Sequence, residues 1–188
     1  DTAKIQKLLA GQAQALNQIY PEGMPGHQDG KVYYAYDPGL AKEILAEAGY
    51  PDGFKTTFYG HNVDPFPKLA QAIQADLKAV GIEVEIELMD KATYWDFISL
   101  TDSHAGIGLS DWYQDFPDPS DWIGPLFIKA SAVDGGANSS FWWDQRVEDL
   151  YDQAVNELDP DARIDMYAQM QDIIMEEAPT APLYQPVW

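Results

Sequence analysis

The clearest hydrophobic pattern in the chain is Ile82-Glu83-Val84-Glu85-Ile86-Glu87-Leu88, which alternates apolar and acidic residues without a break. Side chains of a strand point alternately to its two faces, so this run predicts a strand with one buried face and three Glu in water. Ahead of it, Pro67 to Val80 carries Leu69, Ile73, Leu77 and Val80 at helical spacing and stops at Gly81, the pattern of an amphipathic helix. Phe54 to Tyr59 reads as a further strand. Strand, helix and strand with short links predict a βαβ unit with parallel strands and a right-handed crossover.

Punctuating residues place the other elements. Thr2 to Ala10 reads as a short helix with Ile5, Leu8 and Leu9 on one side, ended by Gly11. Gln12 to Tyr36 shows no period and contains the turn-forming Tyr20-Pro21-Glu22-Gly23-Met24-Pro25-Gly26, so it is expected to strap across the surface. Asp37-Pro38 caps and opens a helix whose apolar face is Leu40, Ala41, Ile44, Leu45 and Ala48, with Gly49 and Pro51-Asp52-Gly53 turning the chain. Ala92 to Leu100 is a helix carrying Tyr94, Trp95, Phe97 and Ile98, and Ala105 to Leu109 is a small, buried strand. Asp118-Pro119 starts a short helix with Trp122, Ile123, Leu126 and Phe127 to pack, and Ala130 to Ser140 is a polar, Gly-rich loop. Asp144 to Leu158 is a helix with Val147, Leu150, Tyr151, Ala154, Val155 and Leu158 in register. Asp159-Pro160 opens the last helix, to about Ala178, with Ile164, Tyr167, Met170 and Ile174 as its buried stripe, and Leu183 to Val187 is a final strand. The sum is an α/β fold with a mixed sheet of about four or five strands, helices packed on it and a helical hairpin near its end. A single domain over 1–188 is expected, with a leading helix and strap loop over 1–36 and an α/β core over 37–188.

Composition then narrows the function. A chain of 188 residues that is 46% hydrophobic can bury a real core. Its 6 Trp and 11 Tyr must either join that core or line a binding surface. A formal charge of −20 repels phosphates, which opposes nucleic acid and anionic membranes as partners. It suits solubility, or attraction of cationic ligands. With no Cys there are no disulfides, thiolate nucleophiles or Cys-based zinc sites. His27, His61 and His104 lack metal-binding spacing, and no P-loop, GxGxxG, HExxH or Ser-His-Asp order is present. No metal, no cofactor and no catalysis are therefore expected. No run approaches the ~20 apolar residues of a membrane span, and no signal peptide is visible. The chain starts without an initiator Met and finishes in what reads as a strand cut short, so it is expected to be a domain excised from a longer protein.

The densest chemistry is in Ser110-Asp111-Trp112-Tyr113-Gln114-Asp115-Phe116-Pro117-Asp118-Pro119-Ser120-Asp121-Trp122. Four carboxylates, two Trp, a Tyr and a Phe follow a buried strand there, and no Lys or Arg occurs from Ala92 through Ile128. Aromatic faces bind cations and apolar groups, and a carboxylate pairs with an ammonium, so the turn is the candidate ligand site. Asp115 has no cap role and no basic neighbour in sequence. Asp118 precedes Pro119 and reads as a helix cap, and Asp121 is a weaker candidate. Tyr113 and Phe116 either touch ligand or belong to the core. Of Trp142-Trp143, one ring is expected in the core while the other is free to line a cleft. Asp111 and Asp115 as a glycosidase pair would have to flank a bond from two sides, which two Asp of one turn do poorly.

Four stretches together resemble a known family: Asn17-Gln18-Ile19-Tyr20-Pro21-Glu22-Gly23-Met24-Pro25-Gly26; Tyr36-Asp37-Pro38 through Ala46-Glu47-Ala48-Gly49-Tyr50-Pro51-Asp52-Gly53-Phe54; Gln71-Ala72-Ile73-Gln74-Ala75-Asp76-Leu77 with Gly81-Ile82-Glu83-Val84; and Trp112-Tyr113-Gln114-Asp115-Phe116-Pro117-Asp118-Pro119. In order and spacing they resemble the family 5 extracellular solute-binding proteins of ABC importers, the oligopeptide-, dipeptide- and nickel-binding group. The resemblance implies one lobe of a two-lobed, periplasmic-binding-protein-like fold, the second lobe inserted within the first. It implies the substrate-binding component of an ABC transporter, capturing peptides or similar small solutes. The expected partners are the ligand, the missing first lobe and an ABC permease in the membrane, for a monomer located in the periplasm or outside the cell, with its signal segment upstream. In peptide-binding members an Asp of the matching turn receives the ligand's α-ammonium and a Trp packs on the ligand, which points to Asp115 and Trp112. Phe116 stands where Tyr is common in the family, so a hydroxyl contact is not expected there. The alternative is a carbohydrate-binding module or lobe for an oligosaccharide, with Trp rings as platforms, or a glycoside hydrolase.

Overall fold

In the computed structural model, which describes residues 1–187, the elements run α1 (Thr2–Leu8), β1 (Ala13–Ala15), α2 (Pro38–Glu47), β2 (Phe54–His61), α3 (Phe66–Ala79), β3 (Ile82–Met89), α4 (Lys91–Ile98), β4 (Ile107–Gly108), α5 (Ser120–Phe127), α6 (Gln145–Ala154), α7 (Pro160–Glu177) and β5 (Tyr184–Pro186). Residues 54–89 form the expected βαβ unit, with β2 and β3 parallel in register from Phe54↔Ile82 to His61↔Met89. On its other edge β2 pairs in parallel with β4, at Phe58↔Ile107 and Tyr59↔Gly108. The α/β class and both strand directions are present, but the five strands divide between two sheets. Three are parallel, in the order β3-β2-β4, and β1 pairs antiparallel with β5 in a ribbon running from Ala13↔Pro186 to Ala15↔Tyr184. A three-residue strand such as β1 is too short to show an alternation, which is why 12–36 reads as loop in sequence.

The start of the parallel pair depends on two glycines. Gly53 and Gly81 have φ of +74° and +97°, and a Cβ built on Gly53 would lie 1.9 Å from the Gly81 carbonyl oxygen. That neighbour is backbone paired into the sheet, so it cannot turn away as a side chain would. Gly53→Ala is expected to cost roughly 2–3 kcal/mol, or about 4–12 °C in Tm at this chain length. Thermal unfolding followed by circular dichroism measures it, and a loss below about 1 kcal/mol would show that the two turns can separate without disturbing the pair.

Helix starts follow the sequence signals. Asp37 accepts from the Leu40 N–H (2.9 Å) and Asp159 from those of Asp161 and Ala162 (3.0 and 3.1 Å), each followed by Pro in the first turn, where no N–H is missed. Two apolar cores result. One surrounds the parallel sheet, with Phe58, Phe66, Leu69, Val84, Tyr94 and Ile98. The other lies along the α6–α7 hairpin and includes Val147, Tyr167, Met170 and Ile174, with Ile123 and Phe127 of α5. Ile19, Tyr20 and Met24 of the strap segment enter this second core. Buried Gln171 fastens them: it accepts the Tyr20 N–H (3.1 Å) and donates to Gln18 Oε1 (3.1 Å) and the Gly26 carbonyl (3.3 Å).

Three expectations are corrected. No residue of α2 is buried, and its Leu40 and Ile44 are exposed. The period there describes the helix, and nothing among the described residues covers its apolar face. Helix α6 ends at Ala154, which leaves Val155 exposed and Leu158, in the link to α7, 93% exposed. The strand expected over Ala105–Leu109 shrinks to Ile107–Gly108.

Candidate functional site

All three strands of the parallel sheet run the same way, so His61, Met89 and Leu109 mark one edge. Ligands of open α/β sheets bind outside that carboxyl edge, and the aromatic, acidic loop leaves the sheet there, after β4. Its first anchor is Leu109. The hydroxyl of buried Tyr94, on α4, accepts from the Leu109 N–H (2.8 Å) and donates to the Leu109 carbonyl (2.7 Å). One side chain thus does the work of a strand neighbour, which accounts for the short β4. Burial pushes the Tyr94 pKa up to about 12, so the hydroxyl stays a donor.

The second anchor is Asp121, in the first turn of α5. It is 4% exposed, and its Oδ2 accepts the Asp115 N–H at 2.8 Å. The third is Asp118. Its Oδ1 accepts from the Ser120 N–H (2.9 Å) and hydroxyl (2.6 Å), and Arg163 of α7 grips both oxygens, Nη1 to Oδ2 and Nη2 to Oδ1, each at 2.8 Å. Nearby sequence offers these carboxylates no basic partner, and the partner of Asp118 lies 45 residues away. Asp118 is also not the N-cap of α5, a place taken by Pro119.

The hydrogen bonds of Arg163, helped by Ser120, hold the Asp118 carboxyl down to about 2 against the opposing effect of burial. The folded-state pKa is depressed, so the stability it contributes is present above the ordinary carboxylate pKa of about 4 and is lost as pH falls from there toward 2. Asp118→Asn should cost up to about 2 kcal/mol at pH 7. The parent and variant Tm values should converge by about pH 2. A gap in Tm that persists at the acid end would mean that Asp118 acts through shape and not through charge.

Between these anchors the backbone is held while side chains are left out. Asp111 and Asp115 are exposed, as are Tyr113 (63%) and Phe116 (49%). Among the described residues the Asp115 carboxylate has neither an ion-pair partner nor a hydrogen bond. Trp112 is half-buried, and its indole N–H is inside and unpaired among the described residues. The loop thus brings Asp115, Tyr113, Phe116 and Asp111 to one exposed segment, with Trp112 half-buried within it. Buried His61, stacked on Phe66 at 3.6 Å, borders the same edge. Burial lowers its pKa, Lys91 adds to this and Asp111 opposes it. Tyr184 of β5 also feels Tyr113 and Asp111, after burial, in its raised pKa, so the ribbon ends near the loop.

Residues 1–133 match the family described as bacterial extracellular solute-binding proteins, family 5 (middle). The chain belongs to this family. It is similar to the glutathione-binding protein GsiB of Escherichia coli K12, 31% identical over 186 residues, which cover 96% of this chain and 36% of that protein. It superposes on the ABC transporter-associated periplasmic binding protein DppA of Helicobacter pylori, solved in complex with the peptide STSA, with a TM-score of 0.93 and 32% identity. That match covers 99% of this chain and 36% of the other. A dipeptide-binding protein from Pseudoalteromonas sp. SM9913, in complex with Met-Leu, gives 0.88 and 27%, over 99% of this chain and 37% of its own. The chain thus spans little more than a third of these relatives, and its α/β unit is one part of their longer fold.

Among the described residues no three His, Asp or Glu are placed to hold a metal ion, and no helix is long and apolar enough to cross a membrane. The family resemblance and the dense 110–122 stretch were legible in sequence. Two residues that hold the site from behind, Tyr94 and Arg163, were not, and Asp121, a weaker ligand candidate in sequence, holds the Asp115 backbone instead. Tyr94 reads as one aromatic of a helix, and Arg163 lies in a different helix.

Proposed function

We propose that this chain is one lobe of a two-lobed solute-binding protein serving an ABC importer, and that the 110–119 loop captures peptides by their α-ammonium. The observation that carries this reading is Asp115: an exposed, unpaired carboxylate on a backbone pinned by Asp121, between anchors at Leu109 and Asp118. Such a group is preorganised for a cation, because little ordering remains to be done on binding. The names of its relatives, which bind glutathione, the peptide STSA and Met-Leu, support a peptide-like ligand.

Capture needs no bond making in this scheme. A second lobe closes over the ligand, the closed form is the one the ligand stabilises, and that form meets the membrane permease. The protein acts as a monomer in the periplasm or at the cell surface, without cofactor, metal or catalytic step. Native mass spectrometry of the full-length protein purified from its host tests the ligand class: a bound mass resolving into peptides is expected. A retained mass in hexose steps overturns the reading in favour of an oligosaccharide stacked on Trp112.

A further inference from the structure

Phe116, next to Asp115, also forms part of the wall of a cavity of about 530 Å³, wide open to solvent, between α5 and the segment that follows it. Gly124, Ile128, Val133 and Tyr151 supply further wall, most of it apolar. Gly124 makes room for the Tyr151 ring, since a Cβ there would lie 2.6 Å from the Tyr151 hydroxyl. One buried charged side chain lines this space, Asp121. Its Oδ2 is used by the Asp115 N–H, and its Oδ1 has no hydrogen-bond partner among the described residues. Neither Arg163, which grips Asp118, nor Lys129, which lies over the Trp143 ring at 4.2 Å, pairs with it.

Most of the Asp121 side chain is buried, and Oδ1 is the part left open to the cavity, free to accept from whatever enters it. Apolar walls suit methylenes, the Tyr151 and Phe116 rings attract a cation, and the free carboxylate oxygen completes an ion pair. We propose that this cavity takes an amine or guanidinium carried on a short apolar stem, with Asp121 Oδ1 as its partner, so that the protein accepts peptides whose first side chain is basic. That the cavity serves a captured peptide rests on the reading of Asp115 given above; that it takes such a cation does not.

The test uses the 188-residue chain, labelled for amide NMR, and two small probes, n-butylguanidinium and its neutral counterpart n-pentanol. Butylguanidinium should give saturable shifts at Asp121, Ile123, Gly124 and Ile128, binding several-fold more tightly than pentanol, as an ion pair in an open cleft allows. Asp121→Asn keeps an acceptor for the Asp115 N–H but loses the charge, and should remove that advantage. Ala137→Leu, which adds bulk at an exposed position of the wall, should weaken both probes. Added salt should weaken butylguanidinium and not pentanol, so the parent alone decides the matter should Asp121→Asn fail to fold. Equal affinity for the two probes overturns the proposal and leaves an apolar cavity; so does an Asp121→Asn variant that binds butylguanidinium as the parent does, or shifts that never saturate. None of these outcomes depends on peptide binding, so a failure of Asp115 as ammonium acceptor shows up separately.

Discussion

Asp115→Asn is expected to weaken peptide binding by about two to three decades in the protein carrying both lobes. Among the described residues the carboxylate is unpaired on a fixed loop, and lobe closure would remove water from its pair with the α-ammonium. Truncating one partner of a desolvated, hydrogen-bonded charge pair costs roughly 2–5 kcal/mol, because the other charge is left without a partner. Acetylating the peptide's amino terminus should cost the parent a similar factor. The two losses should not add, since both break one contact. Calorimetric titration of parent and variant with free and acetylated peptides measures all four affinities. If acetylation proves harmless while Trp112→Ala abolishes binding, the ligand is held by stacking and Asp115 is a solvated turn residue.

Tyr94→Phe should lower Tm by about 4–16 °C. The hydroxyl satisfies both the N–H and the carbonyl of Leu109, and both Tyr94 and Leu109 are buried. A buried backbone group left unpaired costs about 1–3 kcal/mol, so losing both comes to roughly 2–4 kcal/mol, with each kcal/mol worth about 2–4 °C at this size. The damage should be directional. Leu109 is the last fixed residue before the ligand loop, so peptide affinity should fall with stability, whereas Gly53→Ala, at the other end of the sheet, should lower stability alone. Circular dichroism melts and titrations of the two variants separate these effects. An unchanged Tm for Tyr94→Phe would mean that Leu109 finds other partners and that α4 does not position the loop.

Most of the elements were legible in the amino-acid sequence because their causes are local. The alternation of 82–88 needs only that neighbouring side chains point opposite ways, and Asp37-Pro38 and Asp159-Pro160 cap helices through atoms two or three residues away. The candidate site loop stood out too, because aromatic and acidic residues are concentrated within thirteen positions, 110–122. Tertiary structure decided how that loop is held and which of its carboxylates are free. Sequence separates Asp115 from Asp118 only by the Pro that follows Asp118, whereas in the fold Arg163 arrives from α7 to occupy Asp118, burial commits Asp121 to the Asp115 backbone, and Asp115 has no partner among the described residues. The same holds for the strands, since whether β1 joins the parallel sheet or pairs with β5 depends on where the two ends of the described chain meet. A partner 45 or 170 residues away leaves no trace in the spacing of its neighbours. It is chosen when burial makes an unpaired charge or an unpaired backbone group too costly to leave alone.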